Sequence, residues 1–98
     1  MVNRRYRKGY MFEWRVRRFL EATGWVAVRC AGSKPVDIIA MRNGVILFIE
    51  CKKGRSRVRR EQLEVQEELA RRAGARLVVV RNDLSELKKV LRELGSEP

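Results

Sequence analysis

Asn43-Gly44 stands between two apolar, β-favouring runs, residues 37–41 and 45–51. A two-residue Asn-Gly link suits the tight turn whose twist matches a pair of antiparallel strands. The two runs are therefore predicted to be antiparallel neighbours, and that pairing decides where two unusual carboxylates go. Asp37 lies in Val36-Asp37-Ile38-Ile39-Ala40, and Glu50 in Glu50-Cys51-Lys52, thirteen residues further on. On paired strands the two carboxylates can converge on one point, with Lys52 on the same face as Glu50. Two carboxylates and a lysine at one end of a sheet can hold a divalent cation and activate water.

Each acid also has a plainer reading. Asp37, one of two aspartates, can be a turn residue after Pro35, and Glu50 can form an edge-strand ion pair with Lys52. Their coincidence with the lysine favours the metal site, because a carboxylate in an apolar run needs a partner.

Charge narrows the partner. Twenty-three Lys plus Arg against twelve Asp plus Glu give a net charge of +11 over 98 residues. Such a balance points to a polyanion. Arginine outnumbers lysine seventeen to six, which suits phosphate, since a guanidinium can bind two oxygens at once. The target expected for an activated water is then a nucleic-acid phosphodiester. No histidine is present, which removes His-based zinc sites, general bases and nuclease classes. Cys30 and Cys51 cannot form a four-ligand zinc site alone and read as buried free thiols. Cys51 is predicted to point away from Glu50 and Lys52. The longest apolar stretch is too short to span a bilayer, and the N-terminus lacks the apolar core of a secretory signal. An intracellular, nucleoid-associated location is expected.

Residues 1–98 read as one domain, beginning with a basic arm over residues 1–8 that is expected to be mobile. A helix is predicted from about residue 8 to 23, with Phe12, Val16, Phe19 and Leu20 on one stripe. Residues 25–30 read as a strand and 31–35 as a loop, before the hairpin. A basic loop over residues 53–60 leads into a helix from about 59 to 73, stopped by Gly74. Leu77-Val78-Val79-Val80 reads as a strand covered on both faces. The last helix is placed near Asp83, with Glu86 completing a capping box. The order α-β-β-β-α-β-α gives a mixed α/β fold: one mixed sheet flanked by helices, with strands 45–51 and 76–81 parallel.

Glu13, at the rim of the first helix's apolar stripe, can supply a third carboxylate; its plain reading is a solvated residue. Gln62, in the first turn of the second helix, can orient water or bind a phosphate oxygen, or be a hydrogen-bonded boundary residue. Gln66, one turn deeper, reads as structural. Basic residues cluster at Arg4, Arg5, Arg7 and Lys8, at Arg15, Arg17 and Arg18, and from Lys52 through Lys53, Arg55, Arg57 and Arg59 to Arg60. Phosphate contacts from the last cluster can lay a strand across the carboxylates. No stretch reads as a base-reading helix or an aromatic stacking platform, which favours recognition of shape or backbone.

With these residues in place, the chain resembles the PD-(D/E)xK nuclease superfamily. Arg4-Arg5-Tyr6-Arg7-Lys8-Gly9, Glu13, Arg29-Cys30-Ala31-Gly32-Ser33-Lys34, Val36-Asp37 and Glu50-Cys51-Lys52 are most similar to the archaeal Holliday junction resolvases. The resemblance covers roughly residues 4–80 and implies a restriction-endonuclease-like core. It implies that Glu13, Asp37, Glu50 and the Cys51 carbonyl bind Mg²⁺ or Mn²⁺. Lys52 would orient or help deprotonate the attacking water, and Ser33 would lie by the scissile phosphate. It further implies DNA contacts from the basic arm, Lys34 and the basic loop, a homodimer, and an archaeal or archaeal-virus origin. Cys30 stands where the family commonly has serine, and Val36 separates Pro35 from Asp37. Gly54 to Val80, with Gln62 after the basic loop, also resembles VRR-type nuclease domains, which act on other branched or flapped DNA.

The expected function is thus metal-dependent, structure-selective DNA cleavage, most simply the resolution of four-way junctions by a homodimer. A flap or fork nuclease is the alternative within the class. A non-catalytic basic DNA-binding protein, whose acids form an ion-pair network, is the alternative outside it. RNA or an anionic membrane explains the charge but not the buried acids.

Overall fold

The computed structural model describes residues 4–95, with side chains from residue 9 onward. Its elements run α1 (Arg4–Ala22), β1 (Val26–Arg29), a 3₁₀ turn (Ala31–Ser33), β2 (Ile38–Arg42), β3 (Val45–Lys52), α2 (Arg60–Ala73), β4 (Arg76–Arg81) and α3 (Ser85–Glu93). The four strands form one sheet in the order β1-β2-β3-β4. Neighbours are antiparallel except β3 and β4, which run parallel across the α2 crossover.

The Asn-Gly link folds as its composition requires. Asn43 and Gly44 both have positive φ, 49° and 80°, the backbone of a tight hairpin turn. That turn sets the register opposing Ile38 to Ile49 and Ala40 to Leu47. Alternation then divides the sheet's faces. Ile38, Ala40, Leu47, Ile49, Val78 and Val80 pack with Phe12, Val16 and Leu20 of α1 and Leu87, Val90 and Leu91 of α3. On the other face Val36, Phe48 and Ala70 form a smaller core, joined by Ile39, Ile46, Leu69 and Leu77. β4 is an edge strand whose apolar residues contribute to both cores, as its unbroken run predicts.

Several details differ from the sequence reading, among them β2, which begins at Ile38 and leaves Asp37 just outside the strand. α1 begins at Arg4, so the last five residues of the expected mobile arm are helical; residues 1–3 lie outside the described chain. β1 is trimmed to four residues, because Trp25 turns into the main core and Cys30 enters the 3₁₀ turn. At α3 the expected capping box is not formed. Asp83 Oδ1 accepts from both the backbone N–H and the hydroxyl of Ser85, at 2.9 and 2.6 Å. Serine two residues on thus takes the interaction expected of Glu86.

Candidate active site

Asp37 is delivered at the point where the β2–β3 ladder ends. Its N–H donates to the Ile49 carbonyl at 3.1 Å, and its carbonyl accepts from Cys30 N–H at 2.9 Å. The next ladder donor, Cys51 N–H, bonds the Asp37 side chain instead, at 2.7 Å to Oδ2. The backbone of one strand therefore aims the carboxylate of the other. Asp37 is buried at this corner.

Glu50 is buried on the α2 face of β3. Its Oε1 accepts from Gln66 Nε2 at 3.0 Å, and its Oε2 lies 3.5 Å from Lys52 Nζ. Burial and then the Asp37 charge push the Glu50 carboxyl up to about 7, against the opposing pull of Lys52 and Gln66. Cys51, between Glu50 and Lys52 in sequence, packs against the opposite core as alternation predicts. Its thiol is pushed up by burial and then by Asp37, Glu13 and Glu50, so all three carboxylates act on one atom.

Glu13 reaches the site from α1. Burial and then Asp37 push its carboxyl upward, while Arg29, 3.3 Å from Oε1, opposes them. Among the described residues no group of three His, Cys, Asp or Glu side chains stands closed around a point that could hold a metal ion. Glu13 and Glu50 are instead held by local partners, Arg29 on one and Gln66 with Lys52 on the other. The donor set still suits a hard divalent cation: carboxylate oxygens only, mutually destabilising when charged, with no soft or imidazole ligand.

The remaining candidates surround this corner. Ser33 sits in the 3₁₀ turn with positive φ, 54°, just before a cis Lys34-Pro35 bond. Among the described residues its hydroxyl bonds none of the three carboxylates. Gln62 lines a groove with Lys34, Pro35, Arg59 and Gln66, and it is Gln66, not Gln62, that bonds Glu50. Gln66 is fully buried, and its Nε2 also donates to the Pro35 carbonyl at 3.0 Å. The signal for it was visible as a glutamine in the apolar sector of a helix, which has to find buried partners.

The side chains of Arg4, Arg5, Arg7 and Lys8 lie outside the described residues. The basic loop after Lys52 is exposed but not loose. Asn82 grips Gly54 on both sides, accepting its N–H at 2.6 Å and donating to its carbonyl at 3.3 Å. Arg81 donates to the Ser56 carbonyl at 2.7 Å, and Lys53 to the Asn82 carbonyl at 3.1 Å. Beside the loop runs a groove of about 670 Å³ lined by Gly9, Cys51, Lys52, Lys53 and Arg55. Arg55, Arg57, Arg59 and Arg60 are exposed along this segment.

A model of the archaeal Holliday junction resolvase family, Hjc, matches residues 4–94. The chain belongs to that family. The match runs through the segment that also resembles VRR-type domains. Over 51 residues the chain is 49% identical to the crossover junction endodeoxyribonuclease Hjc of Methanocaldococcus jannaschii, covering 52% of this chain and 38% of that one. It also resembles the structure of Archaeoglobus fulgidus Hjc, described as a Holliday junction resolvase from an archaeal hyperthermophile. There the TM-score is 0.67 and the identity 30%, over 76% of this chain and 63% of that one. The chain spans less than two thirds of the length of either relative. The mixed sheet flanked by helices is the architecture this family membership predicts.

Proposed function

We propose that the protein is a metal-dependent DNA endonuclease that resolves four-way junctions, and that Asp37, Glu50 and Lys52 form the centre of its active site. The observation that carries this reading is the corner itself. A strand end fixes one buried carboxylate near enough to another to help hold that one's proton to about 7, with a lysine 3.5 Å from the second.

Glu13, Asp37, Glu50 and the Cys51 carbonyl would hold the cation, Mg²⁺ or Mn²⁺. A bound divalent cation supplies Lewis-acid polarisation of the phosphodiester and lowers the pKa of water. The chain's own residues do the rest. Asp37 is fixed by its backbone bonds, so little reorganisation is needed to present its oxygens. Gln66 holds Glu50 in the acceptor state that suits cation binding. Lys52, mostly buried beside Glu50, orients the attacking water and offsets the charge that develops on the phosphate. Ser33 faces the scissile phosphate from the turn, and Gln62 lies along the path of the strand beyond Pro35. The pinned basic loop, with Lys34 and the N-terminal arginines, supplies contacts to the flanking phosphates.

Two sites related by a two-fold axis would cut a symmetric junction in pairs, which is the reason to propose a homodimer. The leucines of α3 are buried in the core, so that helix has no apolar stripe left to offer. Exposed apolar side chains on the sheet, Val26, Val28 and Met41, lie on the face that α2 leaves open. The protein acts on recombining or repaired DNA in the nucleoid. Among the described residues no helix is long and apolar enough to cross a membrane.

The test is cleavage of an immobile four-way junction in Mg²⁺ beside matched duplex, flap and fork DNA. Nicks confined to the junction support the reading. Preferential cutting of flap or fork overturns the junction assignment, and binding without cleavage of any DNA overturns the enzyme.

A further inference from the structure

We infer that Tyr10 and Trp14, with the arginines laid over them, stack unpaired nucleobases at the branch point of the DNA, next to the carboxylates. The inference deepens the endonuclease reading and rests on it for the identity of the substrate. Tyr10 and Trp14 are four residues apart on α1, hence neighbours on one helical face. Each is 44% exposed, although the same helix buries Phe12 and Val16 almost completely. Two large rings left in solvent beside a catalytic corner require an explanation that the core does not provide.

Their surroundings suit a nucleobase. Arg29 lies over the Tyr10 ring at 5.1 Å, and Arg18 over the Trp14 ring at 5.5 Å. Rings and guanidinium planes are the surfaces on which splayed bases stack, whatever their sequence. Between the two rings runs a narrow crease lined by Glu13, Arg17, Arg29 and Ile38. Arg17 Nε is buried there with no hydrogen-bond partner among the described residues. The Arg17 guanidinium adds positive charge to the crease beside the rings. Arg29 links the two parts of the site directly, because the guanidinium over Tyr10 also pairs with Glu13.

This arrangement adds what backbone contacts lack. Phosphates are the same on paired and branched DNA, whereas bases free to stack occur where pairing is interrupted. The aromatic face therefore favours DNA whose strands part near the carboxylates. A second copy of the chain could cover the same rings, but the arginines around them (17, 18 and 29) would then face like charge. DNA is the complementary occupant.

The experiment measures binding in EDTA, so that it does not depend on cleavage. A labelled duplex with an internal bubble of unpaired thymines is compared with the fully paired duplex. The Tyr10→Ala/Trp14→Ala variant should lose about tenfold in affinity for the bubble and keep its affinity for the duplex. Tyr10→Phe/Trp14→Phe, which preserves the rings, should bind both as the parent does. Tryptophan emission of the parent should be quenched by the bubble, since Trp25 is buried and Trp14 is the accessible indole. Equal losses on both DNAs, or no loss on either, would overturn the inference. So would a double-alanine variant that sediments as a monomer where the parent is a dimer. A protein that prefers the bubble but cuts no DNA in Mg²⁺ would instead remove the nuclease reading and leave the stacking surface standing.

Discussion

Gln66 Nε2 donates to Glu50 Oε1 and to the Pro35 carbonyl, both at 3.0 Å. One buried amide thus ties the site carboxylate to the loop that delivers Asp37. The Pro35 carbonyl can only accept, so it fixes which end of the amide faces Glu50 and makes Glu50 an acceptor too.

Gln66→Leu should leave both oxygens one donor short. A loss of about 2 kcal/mol in folding stability is expected from urea unfolding. Because the bond supports the charged form of Glu50, the loss should be larger at pH 8 than at pH 5. An equal loss at both values would mean that Gln66 fills space and does not serve the carboxylate.

The pH dependence of the metal-free protein follows from Glu50. Its folded proton is held to about 7 against an ordinary 4.5, so across that window the native state binds more protons than the unfolded chain. Stability therefore falls as pH rises from 4.5 to 7, by roughly 3 kcal/mol in full. Glu13, also pushed upward, adds to the fall with the same sign. Glu50→Gln should flatten the slope and be the more stable protein at pH 8. Mg²⁺, which favours the ionised acids, should raise the parent's melting temperature at pH 8 more than at pH 5. A parent that gains stability between pH 5 and 7 would contradict this account.

Much of this molecule is written in local pattern. The Asn-Gly turn, the unbroken run of β4 and the glycine after α2 each encode a local geometry, and together they place Asp37 beside Glu50. What could not be read depends on three-dimensional neighbours. Gln62 and Gln66 occupy the same helical sector, and only the depth of packing decides that Gln66 meets Glu50. The start of α1 was obscured by its arginines, which are good helix formers but carry no apolar periodicity. Trp14 and Tyr10 gave no sign in sequence of being a surface, because exposure is a property of the packed helix.

Asn82 supports the basic loop from a left-handed backbone position, with φ of 62°. Asn82→Gly keeps that conformation available while removing the two bonds to Gly54. A stability loss of about 1 kcal/mol is expected. Trypsin should cut faster within residues 53–57 of this variant than in the parent, and junction affinity should drop. Unchanged proteolysis would show that the Arg81 and Lys53 bonds hold the loop without the Asn82 side chain.

In the proposed reaction Asp37 serves a metal-dependent cutting centre at a DNA junction. The most direct test is a supercoiled plasmid extruding a cruciform, incubated with Mg²⁺ and parent protein or Asp37→Asn. Asparagine retains the acceptor for Cys51 N–H, so the fold should survive while activity falls by more than about a hundredfold. Linear plasmid from paired cuts at the cruciform base, absent with Asp37→Asn and with EDTA, is the predicted result. Linear product that persists with the folded variant, or forms without a divalent cation, would contradict it.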